Sequence, residues 1–326
     1  MGQEDLVKDL KLITEKFKFI EYTQGTGSNI SVKGGNNMVI KASGYTLEEI
    51  ISKDGFVELD YLELRDGYLS DSIKSQRDSN DVVSKNIFED YKLKRVKPSI
   101  ETGFHSFMKK YVVHIHPMYL NLLLCLKETD KILNELYKNY NFFIIDYFKP
   151  GHELCVEVLK GFKKLNISEC RVFFLKNHGL IVSSDDIDEI IDVTKKICDI
   201  AKEFIIDKVN FEHEYLDLEV KEDSFVGSEI SNAGNYVFPD AIVFLNDIFD
   251  DFCLMYEVLD DKVIYNGDNL NLFRNVDEIL FVHNFILKFG GMFGTLNYLS
   301  DEQISNILGM DEEKYRKRLL SNKQNL

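Results

Sequence analysis

The chain is short of basic residues, proline and cysteine, and it has no long apolar run. Lys and Arg number 39 against 55 Asp and Glu, a formal charge of −16 at pH 7. Such a balance repels a polyanion, so nucleic acid is not an expected partner. No stretch reaches the roughly 18 uninterrupted apolar residues of a membrane span, and no membrane partner is expected. The opening MGQEDLVKDL has neither the basic start nor the apolar stretch of a secretory signal, which points to a cytoplasmic location. Five cysteines (Cys125, Cys155, Cys170, Cys198, Cys253) are odd in number, widely spaced and mostly inside apolar runs. They read as buried thiols in a reducing compartment, not as a disulfide framework. With only four prolines and no repeat, boundaries must be read from changes of pattern.

What is present suits a packed fold. The 326 residues are 44% apolar and 12% aromatic, and a chain of this length buries roughly three quarters of its unfolded surface. Residues 4–20 set Leu6, Leu10, Ile13, Phe17 and Ile20 at helical spacing. After the Gly-rich turn Gln24 to Ser28, the segments Asn29 to Val32 and Met38 to Lys41 flank Gly34-Gly35-Asn36-Asn37, a hairpin with a loose turn. A third strand is expected at Gly55 to Leu59, and residues 66–90 read as a polar surface excursion. The middle alternates: a helix from Glu101, a strand Val112 to His116, a helix Leu120 to Leu126, a strand Phe142 to Ile145, and a helix after Pro150-Gly151. Strands Val172 to Leu175 and Leu180 to Ser183 follow, then a long helix carrying Ile187, Ile190, Ile191, Ile197, Ala201 and Phe204 on one face. Residues 1–215 therefore read as one mixed α/β unit. The pattern resets at the acidic stretch Glu214 to Asp223, and residues 216–326 read as a smaller α+β extension. Its expected elements are strands Ala241 to Leu245, Leu254 to Val258 and Lys262 to Tyr265, then helices Val276 to Leu287 and Ser300 to Leu308, the latter capped by Ser300.

The densest group of metal-ligating side chains lies in KPSIETGFHSFMKKYVVHIHP, residues 97–117. His114 and His116, two apart at the end of an apolar strand, project from one face and can reach one ion. A metal such as zinc needs a third protein ligand, and His178 in FFLKNHGLIV, also at a strand end and followed by a glycine able to turn the chain, can supply it. Glu101 offers a carboxylate at the start of a short helix, and His105, four residues on, reads either as its buttress or as a packed helix histidine. His152 reads as a solvated cap residue, and His213 and His283 as structural. The acidic pairs Asp185-Asp186 and Asp260-Asp261 read as turn and capping groups. An H-x-H pair alone is equally a half-buried strand rim; the ordered set says more.

That set runs G-T-G-S-N-I-S at 25–31, M-V-I-K-A-S-G at 38–44, P-S-I-E at 98–101, V-H-I-H-P at 113–117 and N-H-G at 177–179. In this order it resembles the class II aldolase/adducin family, which includes the zinc-dependent fuculose- and rhamnulose-phosphate aldolases. The resemblance covers roughly residues 5–210 and implies an α/β/α layered fold around a mainly antiparallel sheet. It also implies Zn2+, with Mn2+ or Co2+ as alternatives, on His114, His116 and His178, and Glu101 as the catalytic carboxylate that can also ligate. By the same resemblance Thr26, Asn29, Ser43, Gly44 and Ser99 hold a substrate phosphate. Two positions depart from the family pattern: Ser28, where glycine is common, and Ile100, where a second hydroxyl is common. The family's tyrosine proton donor has no assigned counterpart.

The implied activity is reversible carbon–carbon cleavage of a ketose phosphate to dihydroxyacetone phosphate and an aldehyde, through an enediolate that a divalent ion stabilises. A small-molecule sugar phosphate is then the partner, with a homo-oligomer, tetrameric by resemblance. An epimerase or dehydratase could use the same metal site, although family epimerases tend to carry Asp at the position of Glu101. A non-catalytic adducin-like interaction module is the reading from another class. Retention of all three histidines and Glu101 argues against it.

Overall fold

Alternation along the central strands decides the layering. In a computed structural model, which describes residues 2–88, 96–164, 171–211, 218–221, 224–229, 235–246 and 256–322, seven strands form one sheet. They are β1 (Asn29–Gly34), β2 (Asn37–Lys41), β3 (Phe56–Asp60), β4 (Tyr111–Ile115), β5 (Phe142–Ile145), β6 (Arg171–Leu175) and β7 (Gly179–Ser184), in the order β3-β2-β1-β4-β7-β6-β5. Every pairing is antiparallel except β5 with β6, which are parallel and joined through the helix His152–Lys164.

Val172, Phe174, Leu180 and Val182 point to one face; Phe173, Leu175 and Ile181 point to the other. The first face buries the helices Gln3–Phe17 and Ile187–Ile206, the latter through Ile190, Ile197, Ala201 and Ile205, with Asp186 capping its start by accepting from Glu189 N. The second face buries the helices Leu62–Leu69, Thr102–Phe107 and His152–Lys164. The result is an α/β/α sandwich around a mainly antiparallel sheet.

The β1–β2 connection is tighter than the loose turn expected. Gly34 pairs with Asn37, leaving a two-residue loop in which Gly35 takes φ 62°. The polar surface excursion expected at residues 66–90 is largely helical over its described part, the helices Leu62–Leu69 and Gln76–Asn86 occupying much of it. Leu64, Tyr68, Ile73 and Val83 anchor them in the core, and Ser75 caps the second helix by accepting from Asp78 N. Four apolar anchors among so many polar residues leave a faint periodicity.

In the extension, the expected strand Ala241 to Leu245 is part of a helix, Pro239–Leu245. All seven of its residues are buried, so its apolar run shows no period, and Pro239 occupies the first turn where its missing N–H costs nothing. A second sheet, ordered β10-β11-β9-β8, comprises β8 (Glu219–Val220), β9 (Ser224–Glu229), β10 (Tyr256–Leu259) and β11 (Lys262–Asn266). Asp260 and Asp261, with φ 49° and 64°, form the two-residue turn between β10 and β11. The helices Leu270–Phe289 and Asp301–Leu308 are present, the second with the Ser300–Gln303 capping box. A further helix, Asp311–Asn322, follows without having been expected.

The extension's apolar residues, among them Val237, Ile242, Ile279 and Phe285, pack in the same core as the first face of the large sheet. Cys125, Cys155 and Cys198 are buried free thiols, while Cys170, Cys253 and His213 lie outside the described residues. Among the described residues no helix is long and apolar enough to cross a membrane.

Candidate metal centre

Two neighbouring strands bring the imidazoles together. β4 and β7 are hydrogen-bonded, with His114 opposite Ile181 and Ile115 opposite Leu180. His114 lies within β4, His116 just past its end, and His178 in the turn joining β6 to β7. One ring nitrogen from each lies within 4.8 Å of the others, and all three side chains are buried. The strands approach this closely because residue 179 is glycine: a Cβ there would lie 2.5 Å from the Ile115 carbonyl oxygen and 2.8 Å from His116 Cδ2. Its role is close approach, not the bend expected of it, because Asn177 takes the left-handed φ of the turn, 54°.

Hydrogen bonds set which nitrogen of two rings is free. His114 Nδ1 is 3.0 Å from the Leu180 carbonyl oxygen, and His116 Nδ1 is 2.9 Å from Asp240 Oδ2. Acceptors at Nδ1 assign the proton to that atom and leave the Nε2 lone pair available to a metal. The two Nε2 atoms are 3.2 Å apart, and with both protons on Nδ1 neither can donate to the other. A cation held by both resolves this opposition.

Glu101 places a carboxylate beside two of the three rings. Its Oε2 is 3.3 Å from His114 Nε2 and its Oε1 is 3.4 Å from His178 Nε2. Oε1 is buried without a hydrogen-bond partner among the described residues, as expected of an oxygen whose partner is an ion. Three imidazole nitrogens and one carboxylate oxygen are a set that zinc accepts. Burial alone would raise the Glu101 pKa, but the imidazoles of His114 and His178 and the Asn29 amide outweigh it and hold the carboxyl well below its usual range. Burial pushes His178 down to about 3, so its ring is neutral and able to ligate at neutral pH.

Around this centre lies a cleft lined by Thr26, Ser28, Asn29, Lys41, Ser43, Ser99, Ile100, Glu101, His116, His178, Asp240, Glu312, Glu313 and Arg316, among others. Four of the five residues expected to hold a phosphate are thus gathered beside the histidines. Thr26 Oγ1 is buried and without a hydrogen-bond partner among the described residues. Asn29 Nδ2 donates to Ser99 Oγ at 3.1 Å and to Glu101 Oε2 at 3.0 Å, which fixes the carboxylate relative to the loop. Gly44 stands apart from this lining: it takes φ 77°, and Leu319 packs where a Cβ would be.

His105 reaches the carboxylate at one remove, its ring nitrogens bonding Ser31 Oγ at 2.7 Å and Asn29 Oδ1. Ser28, the departure from glycine, adopts φ 64° and accepts from Thr23 Oγ1 at 2.7 Å. A side chain there costs roughly 1–2 kcal/mol relative to the right-handed region. Outside the cleft, His152 opens the helix His152–Lys164, half-buried and stacked on Tyr68, and His283 Nε2 bonds the Asn235 carbonyl.

The sequence profile of the Class II Aldolase and Adducin N-terminal domain matches residues 10–204. The chain belongs to this family. A 3-oxo-tetronate 4-phosphate decarboxylase of Haemophilus influenzae is 29% identical over 123 residues, which are 33% of this chain and 56% of that protein. The chain therefore spans just over half the length of this curated relative. Among solved structures, the N-terminal class II aldolase domain of a conserved protein from Thermoplasma acidophilum is 24% identical with a TM-score of 0.51, covering 63% of this chain and 94% of the other. An L-fuculose 1-phosphate aldolase is 19% identical with a TM-score of 0.44, covering 68% and 93%.

The class II aldolase profile stops before several residues of the cleft that sequence reasoning missed. Asp240 comes from the helix Pro239–Leu245, and Glu313 and Arg316 from the helix Asp311–Asn322. Arg316 Nη2 is 2.6 Å from Asp240 Oδ1, and its Nε is 2.8 Å from Glu313 Oε2. Burial would raise the Asp240 pKa, but Arg316 and His116 hold it well below the carboxylate range. Glu313 is the less favoured partner: burial pushes it up to about 7 against the pull of Arg316, and the charges of Asp240 and Glu101 add to the rise. Lys41, inside the M-V-I-K-A-S-G motif, lines the cleft with its ammonium donating to the Thr26 and Tyr45 carbonyls. An Asp behind a proline in an apolar run, and a Lys closing an apolar strand, were the only local signals.

Proposed function

We propose that this chain is a divalent-metal aldolase, with zinc as its metal, that reversibly cleaves a carbon–carbon bond of a sugar phosphate to give dihydroxyacetone phosphate and an aldehyde. The observation that supports this best is the Glu101 carboxylate, buried between His114 and His178 with one oxygen unpartnered, in the same cleft as Thr26, Ser43 and Ser99. When bound, the ion supplies electrostatic stabilisation of the negative charge that develops on the donor's oxygens.

The chain's own residues do the rest. Glu101, ionised at neutral pH, takes the proton from the donor carbon, and Asn29 holds it in register. Thr26, Ser43 and Ser99 supply short-range donors for a phosphate, which an acidic protein must provide locally. Zinc loading, a homotetramer and a cytoplasmic setting belong to the same proposal.

The test is metal analysis of the purified protein beside its His114→Ala/His116→Ala variant, paired with exchange of dihydroxyacetone phosphate protons into deuterated water. Stoichiometric metal and exchange that vanish in the variant are expected. Glu101→Gln should lower the exchange rate by about 10²–10⁴-fold while metal remains bound. Undiminished exchange in Glu101→Gln overturns its assigned role.

A second reading has its own support. The Haemophilus relative is named as a decarboxylase of a phosphorylated oxo acid, and the cleft also holds a guanidinium, Arg316, ion-paired with Asp240 and Glu313. Carbon dioxide release from 3-oxo-tetronate 4-phosphate, without exchange of dihydroxyacetone phosphate, favours this reading over the first.

A further inference from the structure

We propose that the extension positions the metal ligands, with Asp240 bracing His116 and the pair Val237 and Asn297 bracing the turn that carries His178. The inference rests on the metal reading above and concerns residues beyond the matched family domain. The two braces share the segment 237–240, with Asn297 coming from farther along the chain, and they act on different ligands.

Asp240 is a bridging carboxylate. Its Oδ2 accepts from His116 Nδ1 at 2.9 Å and its Oδ1 accepts from Arg316 Nη2 at 2.6 Å, all three side chains being buried or nearly so. Arg316 compensates the charge of the carboxylate, which can then orient the imidazole and keep its Nε2 free. The family domain has left room for this visitor. A Cβ at Gly27 would lie 2.4 Å from Asp240 Oδ2 and 3.0 Å from His116 Nδ1, so glycine in the G-T-G-S-N motif admits the contact. Gly27 does not take a positive φ, so backbone conformation gives no reason for the glycine.

The second brace holds a turn instead of a ring. His178 Nδ1 is buried and has no partner among the described residues, so the ring takes its direction from its backbone. That backbone is held within the domain by Asn121 Nδ2, which donates to the His178 carbonyl at 3.1 Å, and from the extension at Asn177, whose Nδ2 donates to the Val237 and Asn297 carbonyls, each at 2.7 Å. Asn297 Nδ2 returns a bond to Asn177 Oδ1 at 2.8 Å. His114 needs no such help, its acceptor being the Leu180 carbonyl of the neighbouring strand. Two ligands of three are thus supported in addition from outside the ligand-bearing domain.

The experiment uses the full chain with Co2+ alone as the probe. Affinity is read by competition with a chromogenic chelator, ligand geometry by the visible absorption of bound Co2+, and folding by circular dichroism. The positioning role predicts that Asp240→Ala weakens Co2+ binding by about 10–100-fold, changes the absorption band and leaves the protein folded. Asn297→Ala should weaken binding by a smaller factor.

Tyr265→Phe is the control: it removes a hydrogen bond to Asp277 within the extension and should leave affinity and spectrum unchanged. Wild-type affinity and spectrum in folded Asp240→Ala overturn the proposal, as does an equal loss in Tyr265→Phe, which would make the effect one of general packing. If Asp240→Ala does not fold, Asp240→Asn, which keeps an acceptor but not the charge, must show a smaller loss in the same direction; no loss overturns the proposal. A wild-type chain that binds no Co2+ or Zn2+ fails at the earlier step and refutes the metal reading itself.

Discussion

His114 and His116 stand two residues apart, yet the protein holds them by different means. The acceptor for His114 is a main-chain carbonyl of the adjacent strand, so forming the sheet orients the ring. The acceptor for His116 is a carboxylate 124 residues away in sequence, which requires the extension to be docked and a largely buried arginine to compensate its charge. The first arrangement comes with the fold. The second is an addition that other residues of the chain can alter without touching a ligand.

The sharpest way to break this comparison is to remove a ligand itself. His114→Ala should reduce metal affinity by more than about 100-fold, beyond what a supporting group contributes, as measured by chelator competition. If it costs no more than Asp240→Ala, the distinction between ligand and support collapses. Gly27→Ala comes next. The added methyl would displace Asp240 or His116 and should reproduce the Asp240→Ala loss of about 10–100-fold, and a variant that binds metal as tightly as the wild type would show that the contact has slack.

A third experiment separates docking of the Asp311–Asn322 helix from ligation. Glu313 has its pKa raised to about 7 from an ordinary 4.5. The folded state therefore binds a proton more tightly than the unfolded state, and the stability associated with protonated Glu313 is lost as pH rises between these values. Glu313→Gln should match the wild type below about pH 4.5 and exceed it by at most about 3 kcal/mol above pH 7, read from denaturant midpoints across pH. A parallel pH dependence in both proteins would assign the loss elsewhere. The smallest effect is expected at Ser300, whose hydroxyl accepts from Gln303 N at the start of an exposed helix. Ser300→Ala should cost about 1 kcal/mol of stability with no change in metal affinity.

Most of the large sheet was legible because its central strands are short apolar runs, buried on both faces and bounded by turn residues. The helix Ile187–Ile206 was legible through its period, with one buried stripe and one exposed stripe. The helix Pro239–Leu245 was not legible as a helix, since burial on every side erases the contrast that reveals a period. The helix Asp311–Asn322 failed for the opposite reason: it is largely polar, and its tie to the site is made by Glu313 and Arg316. The three histidines and Glu101 were legible through their motifs. Asp240 was not, because a carboxylate brought to a histidine over such a separation leaves no local spacing to read.

The separation of Asp240 and Arg316 from the ligands has a consequence in time. During synthesis His116 precedes Asp240 by 124 residues, and Arg316 follows Asp240 by a further 76. Amino-terminal portions of a chain can begin to fold while later portions are still being made. On the proposed metal reading, His116 lacks its orienting carboxylate until residue 240 has been made. The order of translation then delays tight metal capture until the extension docks.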